Sequence, residues 1–450
     1  MITPPPSDPY QIYPYHWPVI NPGNSWAVPR IAMPQFFSIQ WDYAIDSWYY
    51  IGHGIDDAGD SYSFNLIVGR RALRGRNPVP QMAYLALGVG SHAAQKFYAS
   101  FGYGLDVSDD PTHPAALILP PVTDFSFDIL FTPLPPFSDT KARIRYTGGA
   151  PVGIAGATYR IDCAGTSKDR DALSLGLDLK DERGTMLEGA SGCVEPPNET
   201  DKGVFTYEVA QPRLTITGGT LAIGARKVNL VGGSLWHDRQ AYTLSPYGGG
   251  FLPGAGTTEE MVTQASKEVA TLYRGMWIAL TLDSGISMLV TPQWAPVTDW
   301  IKDPIKAKGQ QWVSGRAVKR PPTGGYGNLF LPPNADRYNG GALLSGGSAS
   351  DNDWDFDVNI FDPQNPQDSP HWQSPDYDNN VYGTKWAITF SDRLGHWGVP
   401  KEIFVVALVD SCENTLAGSS PFWEGAARLY SDRACTQPIG YGFVEQMGYN

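Results

Sequence analysis

The chain has 450 residues, a net charge of −13, and a composition 42% hydrophobic and 18% charged. That length favours two domains, and that apolar content fills packed cores and excludes a disordered chain. The acidic balance, with no Lys/Arg cluster, excludes a nucleic-acid partner, and the longest unbroken apolar run, Ile403–Val409, is too short to span a bilayer.

Residues 1–35 are rich in Pro and Tyr, lack periodicity and read as an extended arm. From Phe36 onward, 49 Gly and 38 Pro in the whole chain leave little room for long helices and suit many short strands joined by turns. Ser61–Val68, Asp124–Phe131 and Ala172–Leu179 alternate polar and apolar residues, the pattern of half-buried strands. Leu214–Thr217, Gly218-Gly219 and Leu221–Ile223 read as a hairpin. One helix is expected across 256–274. Thr257 and Glu260 form a capping box there, and Met261, Ala265, Val269 and Leu272 keep helical spacing. Met276–Leu282 and Ile286–Val290 flank Asp283-Ser-Gly285 as another hairpin, and 320–380 reads as a long loop insertion rich in Gly, Pro, Asn and Asp. The last strands are Trp386–Phe390, Ile403–Val409, Ala426–Tyr430 and Gly440–Gln446. The expected fold is all-β, mostly antiparallel, in two halves over 36–255 and 275–450 with the helix between them.

Cys163 with Cys193, and Cys412 with Cys435, make two local pairs and are disulfide candidates; Asn198-Glu-Thr is a glycosylation sequon beside Pro196-Pro197. Both favour the secretory pathway or the extracellular space, with a leader removed before Met1, over the cytoplasm. Several motifs are absent. Gly232-Gly-Ser-Leu-Trp236 lacks the final Gly of a nucleophile elbow, and the seven His show no metal-ligand spacing, so no metal site is expected. Asp351-Asn-Asp-Trp-Asp-Phe-Asp357 fails as a calcium loop, with Phe356 at the Gly position and Asp362 at the Glu position.

Three segments in order carry a family resemblance. They are Asp46-Ser-Trp48-Tyr49-Tyr50-Ile-Gly52-His53, then Tyr207 through Gln211-Pro212-Arg213-Leu214 to Trp236-His237-Asp238-Arg239-Gln240, and finally Phe422-Trp423-Glu424-Gly425 with Gly440-Tyr441-Gly442-Phe443-Val444-Glu445. Together they resemble the two-domain, lipocalin-like family of carotenoid 1,2-hydratases, kievitone hydratase and fungal Diels–Alderases, with Asp46 in place of the usual Glu. The resemblance implies two lipocalin-like antiparallel β-barrel or β-sandwich domains and an apolar small-molecule substrate, terpenoid or polyketide, with no cofactor, in a monomer or homodimer.

Within those segments His237, Asp238, Arg239 and Gln240 are the catalytic candidates. Trp48, Tyr50, His53, Tyr207, Trp236, Trp294, Trp354, Trp423 and Tyr441 are the candidates for lining a substrate pocket, since pockets are mostly aromatic with a few polar groups. Trp48, Tyr49 and Trp423 read as core or barrel-closing residues ahead of substrate contacts, Glu445 as structural, and Glu424 with Arg239 as a candidate buried ion pair. His237 and Asp238 are adjacent, so on a regular strand they face opposite sides. The favoured chemistry is that of a Diels–Alder-type cyclase, which holds a flexible polyene in its reactive fold and hydrogen-bonds a carbonyl through His237, Arg239, Gln240, Tyr441 or Tyr207. The alternative is a hydratase or dehydratase in which a buried Asp238 protonates an alkene and aromatic faces stabilise the cation. A non-catalytic carrier is the third reading.

Overall fold

The computed structural model describes residues 11–12, 31–41, 45–72, 81–133, 139–188, 193–194, 206–242, 276–293, 324–330, 342–345, 355–360, 371–376, 381–414 and 421–446. Two large antiparallel sheets account for most of them. The first is built on β1 (Ile45–Asp56), β2 (Ser61–Ala72), β3 (Gln81–Ser91), β4 (Lys96–Gly104), β5 (Asp128–Phe131), β6 (Lys141–Gly149), β7 (Ala157–Thr166), β8 (Ala172–Asp181), β9 (Thr206–Ile223) and β10 (Arg226–Tyr242). Its order is β4-β3-β2-β1-β10-β9-β8-β7-β6-β5, so β1 pairs with a strand nearly two hundred residues later. The sheet curls until β4 meets the far side: Ser100 Oγ lies 2.6 Å from Thr140 Oγ1, and Lys168 N donates to Ala99 O at 3.1 Å.

The second sheet comprises β11 (Met276–Leu282), β12 (Ser287–Gln293), β13 (Gly324–Phe330), β14 (Ala342–Ser345), β15 (Phe356–Ile360), β16 (Lys385–Phe390), β17 (Glu402–Ala407), β18 (Phe422–Tyr430) and β19 (Pro438–Gln446). Its order is β14-β13-β12-β11-β19-β18-β17-β16-β15. Helical turns among the described residues are short and of the 3-10 type, as at Gln35–Phe37 and Asp392–Trp397. No helix among them is long and apolar enough to cross a membrane. The all-β architecture expected from the sequence is therefore present, while the helix expected at 256–274 lies outside the described residues, as do Trp294, Trp354 and Asn198.

Each sheet wraps its own apolar core. Leu66, Val68, Leu85, Ile144, Leu177 and Leu235 belong to the first, and Ile278, Val290, Trp386, Val405 and Val444 to the second. The outer faces of β1, β2, β9 and β10 pack against β11, β18 and β19 of the second sheet. Ala426 N donates to Ser63 Oγ at 2.8 Å, Asn65 Nδ2 to Glu424 Oε2 at 3.0 Å, and His53 stacks on Tyr441 with centroids 3.4 Å apart. The central strands are consequently buried on both faces, and β1 shows almost no exposed position.

Three sequence expectations change. Gly218-Gly219 is no hairpin: β9 runs straight through it, and the turn comes at Gly224, whose φ of +57° suits glycine. Glycine serves close approach there instead, because a Cβ on Gly219 would sit 2.4 Å from Gly176 O on β8. The stretch 320–380 is not one loop, since β13, β14 and β15 fall inside it. In β13, Gly-Gly-Tyr-Gly-Asn hides a paired strand under a turn-like composition.

The expected disulfides are also absent among the described residues. Cys163 is buried in the first core and Cys412 in the second, while Cys435 sits in a surface turn; all three thiols are free. The Cys163 and Cys412 Sγ atoms approach Leu175 O at 3.6 Å and Val409 O at 3.3 Å as weak donors. Reductant is expected to leave the thermal midpoint unchanged, and a downward shift of several degrees would show a bridge.

Candidate active site

Strand alternation divides the catalytic candidates between two places. On β10, Leu235, His237, Arg239 and Ala241 point into the first barrel, whereas Trp236, Asp238 and Gln240 point at the second sheet. On β1 the same split sends Asp46, Trp48 and Tyr50 inward, and Tyr49, Ile51 and His53 outward.

Inside the barrel, His237 lies between Tyr50 and Phe37, with ring centroids 4.2 and 5.5 Å away. Its Nδ1 is 2.6 Å from Gln211 Oε1, and Gln211 Nε2 donates to Asp181 Oδ2 at 2.6 Å and to Tyr159 OH at 3.2 Å. That network puts the proton on Nδ1. Nε2 is then a buried acceptor with no partner among the described atoms. Burial, helped by the nearby Arg239 charge, holds the imidazole pKa well below its ordinary value, so the ring is neutral.

Arg239 is fully buried. It ion-pairs with Asp46 and lies 4.2 Å over the Trp48 ring, with Nε donating to Phe36 O at 3.1 Å and Nη2 to Ser38 O at 2.9 Å. Trp48 Nε1 donates to Phe37 O at 3.1 Å. Residues 33–39 thus plug the barrel with Met33, Phe36, Phe37 and Ile39, and the plug is latched by a guanidinium and an indole. Tyr207 meets Phe36 edge-on at 6.3 Å. Trp48, Tyr50, Tyr207, His237 and Arg239 therefore belong to a filled, polar-latched interior.

The sheet interface is chemically different. Asp238 is 3% exposed, and Gln240 Nε2 donates to its Oδ2 at 2.6 Å. Glu208 on β9 pairs directly opposite Gln240 and so sits diagonal to Asp238 on the same face. From the second sheet, Glu424 and Glu445 are direct cross-strand partners, and Trp277 is paired opposite Glu445. Glu188, just after the short strand Met186–Leu187, completes the group against Glu208 and Trp277. Trp236 and Trp277 meet edge-to-face at 5.7 Å.

Burial pushes the Asp238 carboxyl well above the ordinary range, and the charges of Glu208 and Glu445 push it further. Glu188 and Glu424 are raised by the same two causes, burial first and neighbouring carboxylates second; Glu445 is pushed up to about 7 by burial and by Glu208. Asp238 Oδ1 and Glu424 Oε1 have no hydrogen-bond partner among the described atoms. Burial and mutual repulsion thus favour the protonated form of Glu188, Asp238 and Glu424, while Glu445, at about 7, exchanges its proton near neutral pH.

Among the remaining candidates, Trp423 lies inside the second barrel with Nε1 donating to Asp410 O at 2.6 Å, a core role. His53 and Tyr441 form the inter-sheet stack with Arg428 4.0 Å over the Tyr441 ring. Burial and the Arg428 charge hold the His53 pKa down at about 3. The ion pair expected between Glu424 and Arg239 does not form, because Arg239 points into the barrel towards Asp46 while Glu424 faces Asn65 across the interface. Glu188, Glu208, Asn65 and Trp277 escaped the sequence reading. Glu208 alternates with Tyr207 and Val209, so it reads as a solvent-facing position, yet it is buried, with Glu188 against it.

Removing a like charge from this cluster should stabilise the fold. The Glu445 pKa of about 7 exceeds the ordinary value of about 4.3 for an unfolded chain, so its ionisation costs stability as pH rises between them. Glu445→Gln is expected to gain on the wild type from pH 5 to pH 7 in urea unfolding and to level off above that; a pH-independent difference would contradict this.

No protein-family model and no curated protein matches the sequence. In structure, the chain is similar to a Nitrosomonas europaea protein assigned as AttH, with a TM-score of 0.58 and 16% identity over 96% of this chain and 99% of that one. A second similar structure is kievitone hydratase from Nectria haematococca, with a TM-score of 0.49 and 12% identity over 94% of each chain. The first likeness extends over almost the whole of both chains. The two-barrel fold is thereby shown, and the chemistry rests on the site.

Proposed function

We propose that the protein is a hydro-lyase, a hydratase or dehydratase of an apolar alkene-bearing molecule, with Asp238 as the acid. One observation carries this: Asp238 is buried at the sheet interface among other carboxyls, where repulsion and desolvation keep it protonated, with one oxygen unpartnered beside the Trp236–Trp277 pair. Such a group keeps its proton at neutral pH and is held out of bulk water, the state a general acid must start from.

Asp238 would give its proton to the alkene carbon, leaving a carbocation whose charge the indole faces and the new carboxylate offset. Water then adds to the cation, and its extra proton passes to Glu445. The sum is addition of one water. The proton returns to Asp238 through the cluster, and the reverse sequence is dehydration. A neutral His237 takes no part, since β10 turns it to the other face.

The cyclase suggested by the family resemblance is less well supported. Of its alternative carbonyl donors His237, Arg239, Gln240, Tyr441 and Tyr207, the structure turns His237, Arg239 and Tyr207 into the plugged barrel, which leaves Gln240, bonded to Asp238, and Tyr441, stacked on His53.

The test is turnover of isoprenoid and phenolic alkenes in deuterium oxide. One carbon-bound deuterium should appear in each product molecule, and a cyclised product without deuterium would defeat the reading. If Glu445 is the base, rate should rise with pH through a single ionisation near its pKa of about 7. Glu445→Gln should remove that limb, and a profile unchanged in the variant would exclude Glu445.

A further inference from the structure

We infer that the crevice between the two sheets at His53 and Tyr441 binds a hydroxyl group, carried by the protein's substrate about 13 Å from its reacting double bond. The reach rests on the hydro-lyase reading above, with Asp238 as the acid; the hydroxyl site does not.

Two cross-strand pairs face each other there. His53 is paired with Ser234 across β1 and β10, and Thr281 with Tyr441 across β11 and β19. The His53 and Tyr441 rings stack with centroids 3.4 Å apart, and all four residues line a crevice of about 20 Å³. That is room for one oxygen-sized group and too little for a carboxylate or a ring.

The crevice is walled by hydrogen-bonding groups that the described residues leave unsatisfied. His53 is only 6% exposed. Its side chain stacks on Tyr441, which Arg428 covers at 4.0 Å, and neither His53 nitrogen nor the Tyr441 hydroxyl makes a hydrogen bond. Ser234 Oγ makes none either, and Thr281 Oγ1 reaches Pro212 O only at 3.5 Å. Buried polar groups are normally satisfied. Burial and the Arg428 charge keep the imidazole neutral, so one ring nitrogen is a bare acceptor. A hydroxyl suits such a set, because it both gives and accepts; a carbonyl has no proton for the bare nitrogen.

Strand register joins the crevice to the acid. On this face β10 presents Ser234, Trp236 and Asp238 in turn, and β19 presents Tyr441, Phe443 and Glu445. Both strands pass from a hydroxyl to a carboxyl in four residues, about 13 Å of extended chain. Between the two ends lie Ile51, Trp236, Ala279 and Phe443, which belong to the second core and wall the crevice. A ligand held by its hydroxyl and laid along this strip crosses apolar side chains before it reaches Asp238. The order polar, apolar, acidic matches an otherwise apolar alcohol with an alkene at its far end.

The experiment is equilibrium dialysis and turnover of the full chain in neutral buffered deuterium oxide. The probes are all-trans-farnesol, whose extended chain sets its terminal double bond at about this reach, and the same triene with hydrogen in place of the hydroxyl. Farnesol should bind at least about tenfold more tightly than the triene. Deuterium should enter at the terminal double bond and not at the one beside the hydroxyl. Tyr441→Phe with Ser234→Ala keeps the ring stack and removes two hydroxyls. It should bring farnesol down to the affinity of the triene and leave the triene unchanged. Equal affinities in the wild type (the crevice then holding water alone), no farnesol binding, a preference that survives in the double variant, or deuterium beside the hydroxyl would each overturn the inference. Deuterium entering both compounds at equal affinity removes the hydroxyl site and leaves the hydro-lyase. Hydroxyl-dependent binding without deuterium incorporation removes the hydro-lyase and the reach, and leaves the hydroxyl site.

Discussion

Asp238→Asn is expected to abolish turnover, a fall of about 10³-fold or more, while the fold survives intact. The substitution is isosteric, and Gln240 still has an oxygen to which Nε2 can donate. It also removes one member of a mutually repelling set, so the unfolding midpoint should hold or rise. The pairing of lost rate with retained stability is the informative result. An ordinary strut would lose stability first and activity in proportion. Deuterium exchange into unreacted alkene should vanish in the same variant; exchange at the wild-type rate would place the acid elsewhere.

Asp46→Ala should have the largest effect on stability, about 3–5 kcal/mol. Asp46 is fully buried, pairs with Arg239, lies 3.5 Å from Arg70 Nη2, and accepts from Gln40 N at 2.6 Å. Removing it strands two buried guanidiniums, each of which also holds a carbonyl of the plug segment or its continuation. Urea unfolding should show a lower midpoint with an unchanged slope, and a loss below about 1 kcal/mol would mean that water reaches Arg239 to replace the carboxylate. Asp46→Asn should recover part of the loss, since it keeps the acceptor and gives up only the charge.

Much of this architecture was legible in the order of residues. Alternation marked Ser61–Val68 and Ala172–Leu179, and both lie within strands. It also foretold that His237 and Asp238 would part, and the two now serve different faces of β10. What alternation could not carry was the second sheet. Glu208, Asn65 and Glu445 occupy positions that a half-solvated strand gives to polar residues, and nothing local distinguishes water from another sheet on that side. The Gly218-Gly219 step failed for a related reason: glycine marks a turn and a close strand approach with the same letter, and only the partner strand tells them apart. The Cys pairs failed because spacing along the chain says nothing of direction, and Cys163 and Cys412 each point into a different core.

The latch between Arg239 and the plug has a consequence for biogenesis. Arg239 and Phe36 are 203 residues apart, and β1 waits equally long for its partner β10. Throughout synthesis of the intervening chain, β1 to β4 can form only an open meander, with one face of Trp48, Leu66 and Leu85 unsealed and a strand edge unpaired. Closing so long a loop is slow, and the half-made sheet invites pairing with another nascent chain. The protein should therefore depend on chaperones until Tyr242 has cleared the ribosome, and chains halted before that point should aggregate.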